Sequence, residues 1–117
     1  MAYFEQFLIS HDKALRGLVI TDRSGVILEP EAGFDTLCDW SLALQQSGSQ
    51  QYLVGNGASA AFANHMALDW TKNGGVATHA FSDSAMLTAI GNDLGFEEAF
   101  AAPLSWYAKS GDLLVTI

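Results

Sequence analysis

The sequence has little cysteine, few basic residues and no long apolar run. Its single cysteine, Cys38, excludes an intrachain disulfide, and nothing indicates an oxidising compartment. The chain has five Lys and Arg residues and 13 Asp and Glu residues, which gives a formal net charge of −8 at pH 7. So few cations can hardly form a basic face, which argues against direct binding to nucleic acid or anionic membranes. No apolar run approaches the roughly 20 residues that span a bilayer and the start lacks a signal peptide, so we expect a cytoplasmic protein.

What the chain does have is a globular composition, with 50% hydrophobic and 15% charged residues over 117 positions. This length suits one compact domain. Apolar spacing predicts helices over about residues 2–18 and 34–46. Between them, residues 19–28 are two β-branched runs around a glycine turn, either a hairpin or an irregular connection. We take residues 1–50 as an N-terminal helical segment.

From residue 51 onwards strands and helices alternate. The predicted strands are 52–54, 76–81 and 112–117, and the predicted helices are 58–72, 86–90 and 97–109. This order predicts an α/β domain with a parallel sheet, right-handed crossovers and flanking helices. No helix follows the last strand to cover the sheet, so we expect residues 51–117 to be the N-terminal part of a longer domain, or a second subunit to cover that face.

The segment from Leu53 to Ala61, LVGNGASAA, is a strand that runs through small residues into a helix. Small residues let backbone amides approach an anionic ligand at the positive end of the helix dipole. The same pattern also fits a tight turn whose glycines serve backbone geometry alone, and the pattern does not decide between the two.

We expect two groups of polar residues to lie near this loop. Helical spacing places His65 and Asp69 on one face, as an acid–base pair, half of a metal site, or an ordinary surface pair. Ser82-Asp83 and Gly91-Asn92-Asp93 are predicted near the carboxyl ends of the strands, where α/β sheets bind ligands. Each of these alone also reads as a helix cap or turn.

Taken together, these motifs resemble one family. The resemblance is to the sugar isomerase (SIS) family, in its phosphoheptose isomerase branch. It covers residues 51–117 and is carried by GNGAS at 55–59, His65 with Asp69, FSD at 81–83, AIGNDLGF at 89–96 and GDLLVTI at 111–117.

The resemblance implies a SIS-type, flavodoxin-like three-layer sandwich whose N-terminal helices pack at the interface of a homotetramer. It implies a sugar phosphate bound by Asn56, Gly57, Ala58, Ser59, Asn92 and Asp93. It also implies zinc held by His65 and Asp69, with Asp69 as the catalytic acid–base group where the family has a glutamate. The family's serine-rich phosphate loop and its later catalytic residues are not in this sequence.

Two activities follow from this likeness. One is an aldose–ketose isomerase resembling D-sedoheptulose 7-phosphate isomerase, which serves heptose synthesis for lipopolysaccharide. The alternative is a non-catalytic SIS protein that binds a replication-initiator partner or senses a sugar phosphate.

Overall fold

The computed structural model describes residues 2–117. The helices are α1 Tyr3–Arg16, α2 Pro30–Ser47, α3 Ala58–Lys72, α4 Ser84–Asp93 and α5 Ala101–Tyr107, with a 3₁₀ helix at Phe96–Glu98. The strands are β1 Ile20–Thr21, β2 Ile27–Leu28, β3 Gln51–Val54, β4 Thr78–Ala80 and β5 Leu113–Thr116. Residue 1, part of the predicted segment 1–50, lies outside the described residues.

The chain divides into two compact units, and the boundary between them along the chain falls between Trp40 and Ser41, within α2. In the first unit, α1 has no buried residue. β1 and β2 pair antiparallel, with Ile20 opposite Leu28, so the segment that the sequence left open is a hairpin. The boundary that the sequence suggests, after residue 50, stays a prediction.

The second unit is built on a three-stranded parallel sheet in the order β4-β3-β5. Gln51 at the start of β3 is opposite Thr78 on one side and Leu113 on the other. All four residues of β3 are buried, as expected for the central strand of a parallel sheet with covered faces. The predicted parallel α/β arrangement is therefore confirmed.

Helices flank this sheet. α3 packs against β3 and β4. Alternate residues of a strand point to opposite faces, so Tyr52 and Val54 share a face with each other. Together with Phe81 they form a buried cluster, against which Met86, Phe100 and Leu104 of the α4–α5 region pack. The carboxyl ends of all three strands lie at one edge of the sheet, where the loops before α3 and α4 begin.

The bounds of several elements differ from the sequence prediction, for local reasons. α2 begins at Pro30 instead of residue 34, because proline suits a first helical turn. Gly33 does not break α2: a Cβ there would lie 2.6 Å from Cδ1 of Ile20, so the missing side chain makes room for the hairpin.

The region 86–109 differs more. The predicted break at Gly91-Asn92-Asp93 is instead the end of α4, which runs from Ser84 to Asp93. The predicted helix 97–109 is divided into the 3₁₀ helix and α5. Pro103 explains this division, because proline lacks an N–H and fits only near the start of a helix, where α5 places it.

Candidate functional site

The central feature of the second unit is the glycine loop, Gly55–Gly57, which joins β3 to α3. A Cβ on Gly55 would lie 2.7 Å from Cβ of Ser59, so α3 can approach the strand this closely only with glycine there. Gly57 adopts φ of 59°, a conformation that glycine tolerates without strain. Glycine is thus required at the two positions for different reasons: at Gly55 because α3 approaches closely, and at Gly57 because of the backbone conformation.

The glycine loop presents backbone donors and polar side chains to solvent. Gly57 is the N-cap of α3 and supplies no side-chain hydrogen bond. Ser59 donates its N–H to the carbonyl of Asn56 at 3.1 Å, which folds the loop onto the first turn. Asn56, Gly57 and Ala58 are exposed, and Ser59 is half-buried. The first turn of α3 has no acidic residue, so the positive end of its dipole faces an approaching anion unopposed.

The end of β4 lies beside this loop, and its polar residues have structural partners. Ser82 donates a hydrogen bond from Oγ to Oδ1 of Asn64 on α3. Asp83 is the N-cap of α4 and accepts a hydrogen bond from the N–H of Met86 at 3.0 Å. The helix cap that the sequence offered as one reading of Ser82-Asp83 is confirmed, and these side chains stabilise the edge of the sheet that carries the glycine loop.

His65 and Asp69 are brought together on the outer side of α3. Nε2 of His65 lies 3.3 Å from Oδ2 of Asp69, and their side chains are 71% and 40% exposed. The other carboxylate oxygen, Oδ1, accepts a hydrogen bond from Nδ2 of Asn73 at 3.3 Å. The carboxylate of Asp69 is therefore held from both sides while it stays open to solvent.

This pair is not next to the glycine loop. Asp69 follows Ala58 by 11 positions on one straight helix, and at 1.5 Å per residue this places it about 16 Å further along the helix axis. The structure therefore separates the glycine loop from the candidate acid–base group by most of the length of α3.

The donors of the His65–Asp69 pair suit a metal only in part. An imidazole nitrogen and a carboxylate oxygen one helical turn apart are ligand types that zinc accepts. Throughout residues 2–117, no group of three or more His, Cys, Asp or Glu side chains is placed to hold a metal ion. The described part of the chain thus offers two of the four donors that a tetrahedral zinc site needs.

Asn92 and Asp93 lie in the last turn of α4 and are exposed. Nδ2 of Asn92 donates a hydrogen bond to Oδ1 of Asp93 at 2.7 Å. No hydrogen bond of the described residues connects them to the glycine loop. Because α4 starts at the carboxyl end of β4 and is ten residues long, they lie at its far end, roughly 14 Å from its first residue.

A second feature was not anticipated from the sequence. A cavity of about 410 Å³ lies on the sheet face covered by α4 and α5, and its lining residues are Gln50, Tyr52, His79, Ala80, Phe81, Met86 and Tyr107. The residues come from four places in the chain, so no single motif could reveal it. Only the strand register, with Tyr52 opposite His79, brings them together.

Comparison with known proteins adds to this geometry. No family model matches the chain. A phosphoheptose isomerase of Bradyrhizobium sp. (strain BTAi1) is 40% identical over 78 residues, which cover 62% of this chain and 39% of that protein. A phosphoheptose isomerase of Campylobacter concisus is 40% identical over 80 residues, 62% of this chain and 41% of that protein.

Solved structures agree. The phosphoheptose isomerase of Neisseria gonorrhoeae matches with a TM-score of 0.64 and 34% sequence identity, over 70% of this chain and 45% of that one. The chain resembles the phosphoheptose isomerases. The resemblance predicted from the motifs is thus confirmed in sequence and in fold. The chain spans about two fifths of the length of the curated phosphoheptose isomerases it matches.

Within residues 2–117, no helix is both long enough and apolar enough to cross a bilayer.

Proposed function

We propose that this chain forms part of an aldose–ketose isomerase that acts on a phosphorylated sugar of the sedoheptulose 7-phosphate type. The observation that carries the proposal is the glycine loop at the start of α3, where close approach at Gly55 and the backbone of Gly57 leave an unobstructed anion site. The names of the similar proteins support the same activity.

In this proposal the glycine loop binds the oxygen-rich part of the substrate. Asn56 and Ser59 offer polar side chains, while Gly57 and Ala58 leave room for the ligand to reach backbone N–H groups. This explains how a chain with a net charge of −8 binds an anion: backbone dipoles replace basic side chains. Asn92 and Asp93 on α4 are proposed as further sugar contacts.

Asp69 is proposed as an acid–base group. Aldose–ketose isomerisation moves a proton between adjacent carbons through an enediol, so it needs a carboxylate within hydrogen-bonding reach of the substrate. The contact with His65 and the hydrogen bond from Asn73 orient the Asp69 carboxylate without burying it. An oriented, accessible carboxylate can accept the carbon-bound proton and return it to the neighbouring carbon.

Zinc is proposed as a cofactor on the same pair. His65 and Asp69 would provide two of the zinc ligands, and residues other than these two would provide the remaining ligands. When bound, zinc would supply Lewis-acid polarisation of the substrate carbonyl.

The separation along α3 supports an assembly of several copies. A sugar whose phosphate lies at Gly57 leaves about 18 Å along the helix axis between that end and Asp69 of the same copy. A site completed by Asp69 of a second copy removes this difficulty, in agreement with the proposed homotetramer.

We further propose a cytoplasmic protein that serves heptose synthesis for lipopolysaccharide.

The decisive experiment follows conversion of sedoheptulose 7-phosphate by NMR in the intact protein, with and without added zinc. Asp69→Asn should keep the fold, seen by circular dichroism, because an exposed ion pair contributes at most about 1 kcal/mol. Its turnover should fall by at least about 100-fold, the usual contribution of a positioned acid–base group.

Glu31→Gln is the matched control, since it makes the same carboxylate-to-amide change on the exposed side of α2 and should keep full turnover. Equal turnover in Asp69→Asn and in the unaltered protein would refute the role of Asp69. Absence of conversion by the unaltered protein would favour the non-catalytic alternative, in which a partner protein or a sensed sugar phosphate is bound.

A further inference from the structure

The cavity between the sheet and the α4–α5 region has an aromatic floor. Tyr52 and Phe81 stack with ring centroids 5.4 Å apart and planes 20° from parallel. Phe81 and Tyr107 repeat this arrangement at 6.0 Å and 22°, and His79 lies 5.9 Å from Tyr52 at 30°. In this row Tyr52 and Phe81 are the inner members and are only 1% and 7% exposed, so the ring surface that a ligand can reach belongs to Tyr107, which is 51% exposed, and to the exposed His79.

Polar groups with unused hydrogen-bonding capacity border this floor. The hydroxyl of Tyr52 donates to Oε1 of Gln50 at 3.1 Å, which leaves the side-chain NH₂ of Gln50 directed to no partner among the described residues. The ring nitrogens of His79 and the hydroxyl of Tyr107 likewise form no hydrogen bond in the described chain, and both residues are exposed. A ligand can therefore gain hydrogen bonds here without breaking any that exist.

The cavity also excludes one class of ligand. None of its lining residues is Lys, Arg, Asp or Glu. The two carboxylates nearest in sequence are both occupied by backbone N–H groups: Asp83 accepts from Met86 at 3.0 Å, and Asp112 accepts from Gln50 and Lys109 at 2.8 and 2.7 Å. A phosphate or carboxylate would find no counter-charge here, in contrast to the glycine loop with its helix dipole.

We propose that this cavity binds an uncharged heteroaromatic ring, such as a nucleobase, stacked on the exposed ring of Tyr107 and hydrogen-bonded by His79 and Gln50. The volume of about 410 Å³ lies within the range of small-molecule pockets. Apolar walls with a few convergent polar groups are the usual composition of such sites. The site lies on the sheet face opposite α3 and is independent of the glycine loop.

Methionine methyl groups can report by NMR whether a ring binds in the cavity. The chain has three, and Met86 lines the cavity while Met66 lies on α3, on the other side of the sheet. With [¹³C-methyl]methionine in the intact protein, adenosine should shift the Met86 methyl signal by its ring current and saturate, while the Met66 signal stays fixed. Indole, a smaller heteroaromatic ring, should do the same, and ribose, which lacks an aromatic ring, should not.

Two variants and a control complete the experiment. Tyr107→Ala removes one stacking ring from a half-exposed position, and the dissociation constant for adenosine should rise roughly three- to tenfold. His79→Ala should weaken adenosine to a similar extent, and His11→Ala, at an exposed histidine on α1, should change nothing.

A Met86 shift that stays linear in adenosine concentration would overturn the proposal, as would equal shifts of Met66 and Met86. Unchanged affinity in both Tyr107→Ala and His79→Ala would also overturn it.

Discussion

At Gly55 the space of a side chain is already filled by Ser59 and by the carbonyl oxygen of Ile117, which would lie 2.7 and 3.1 Å from an added Cβ. Ser59 is in the first turn of α3, and Ile117 directly follows β5 and is held to β3 by its N–H, which donates to the carbonyl of Val54 at 2.9 Å. Gly55→Ala should therefore lower the free energy of unfolding by about 1–3 kcal/mol, measured by urea denaturation.

The matched control is Gly91→Ala in α4, where an added Cβ meets nothing within 4 Å. Helix propensity then favours alanine by about 0.5–1 kcal/mol, so this variant should be as stable as the parent or slightly more so. Equal destabilisation at both positions would contradict the steric argument for the glycine loop.

The ionisation of Tyr52 makes the stability of the folded chain depend on pH in the alkaline range. Burial, and secondarily the negative charge of Asp112, raise the pKa of the Tyr52 hydroxyl above its usual value of 10.0. Below pH 10 the folded and unfolded chains both keep this proton, but above pH 10 the unfolded chain loses it first. Stability should therefore decline as pH rises from 10 through the folded pKa.

Urea unfolding between pH 9 and 11 measures this decline, and Tyr52→Phe should show less of it, although it also loses the hydrogen bond to Gln50 at every pH. Tyr3→Phe, at a tyrosine that is 82% exposed, should keep the decline. Identical pH profiles for Tyr52→Phe and the parent would exclude Tyr52 as its source.

At the scale of elements, the start of α4 depends on Asp83. Its carboxylate accepts the N–H of Met86, one of the donors that a helix N-terminus leaves unpaired. Asp83→Ala should lower the free energy of unfolding by about 1 kcal/mol. Ser84→Ala changes the neighbouring side chain, which forms no hydrogen bond in the described chain, and should cost much less. Similar costs for both would show that the cap is not the cause.

The sequence predicted the elements whose signals are local. α3 has the predicted bounds, from Ala58 to Lys72, because a glycine loop precedes it and an asparagine and two glycines follow. The region after β4 was predicted less well. Gly91 resembles a helix break, yet it fits inside α4, and the consequence of Pro103 was not recognised.

In the candidate site too, the sequence predicted only the features that depend on residues close together in the chain. The glycine loop and the His65–Asp69 pair follow from neighbours in sequence and from helical spacing. The axial distance between them follows from the same helical spacing. The position of Asn92 in the last turn of α4 depends on where that helix ends, and the aromatic cavity depends on how elements are arranged in space. Sequence spacing alone does not contain that information.

At the scale of the whole molecule, α1 carries a stripe of exposed apolar side chains. Phe4 and Leu8 are 66% and 51% exposed, one helical turn apart, and no residue of α1 is buried. Exposed apolar stripes of this kind mark interfaces between proteins. If α1 packs between copies as proposed, Phe4→Ser combined with Leu8→Ser should produce smaller species in sedimentation velocity at equal concentration.

Lys13→Ser on the same helix changes a charged side chain and should leave the assembly intact. An unaltered sedimentation coefficient in the double variant would remove α1 from the proposed interface.

The strand order β4-β3-β5 also bears on how the protein emerges from the ribosome. β3 and β4 are joined by α3 alone, so they can pair as soon as both have left the exit tunnel. Asp112, which accepts a hydrogen bond from the N–H of Gln50, is 62 residues after Gln50 and is synthesised only after β4 is complete. During that interval one edge of β3 has no partner, and an open apolar strand edge is a template for aggregation. Synthesis that stalls between β4 and β5 should therefore leave a nascent chain that depends on chaperones for solubility.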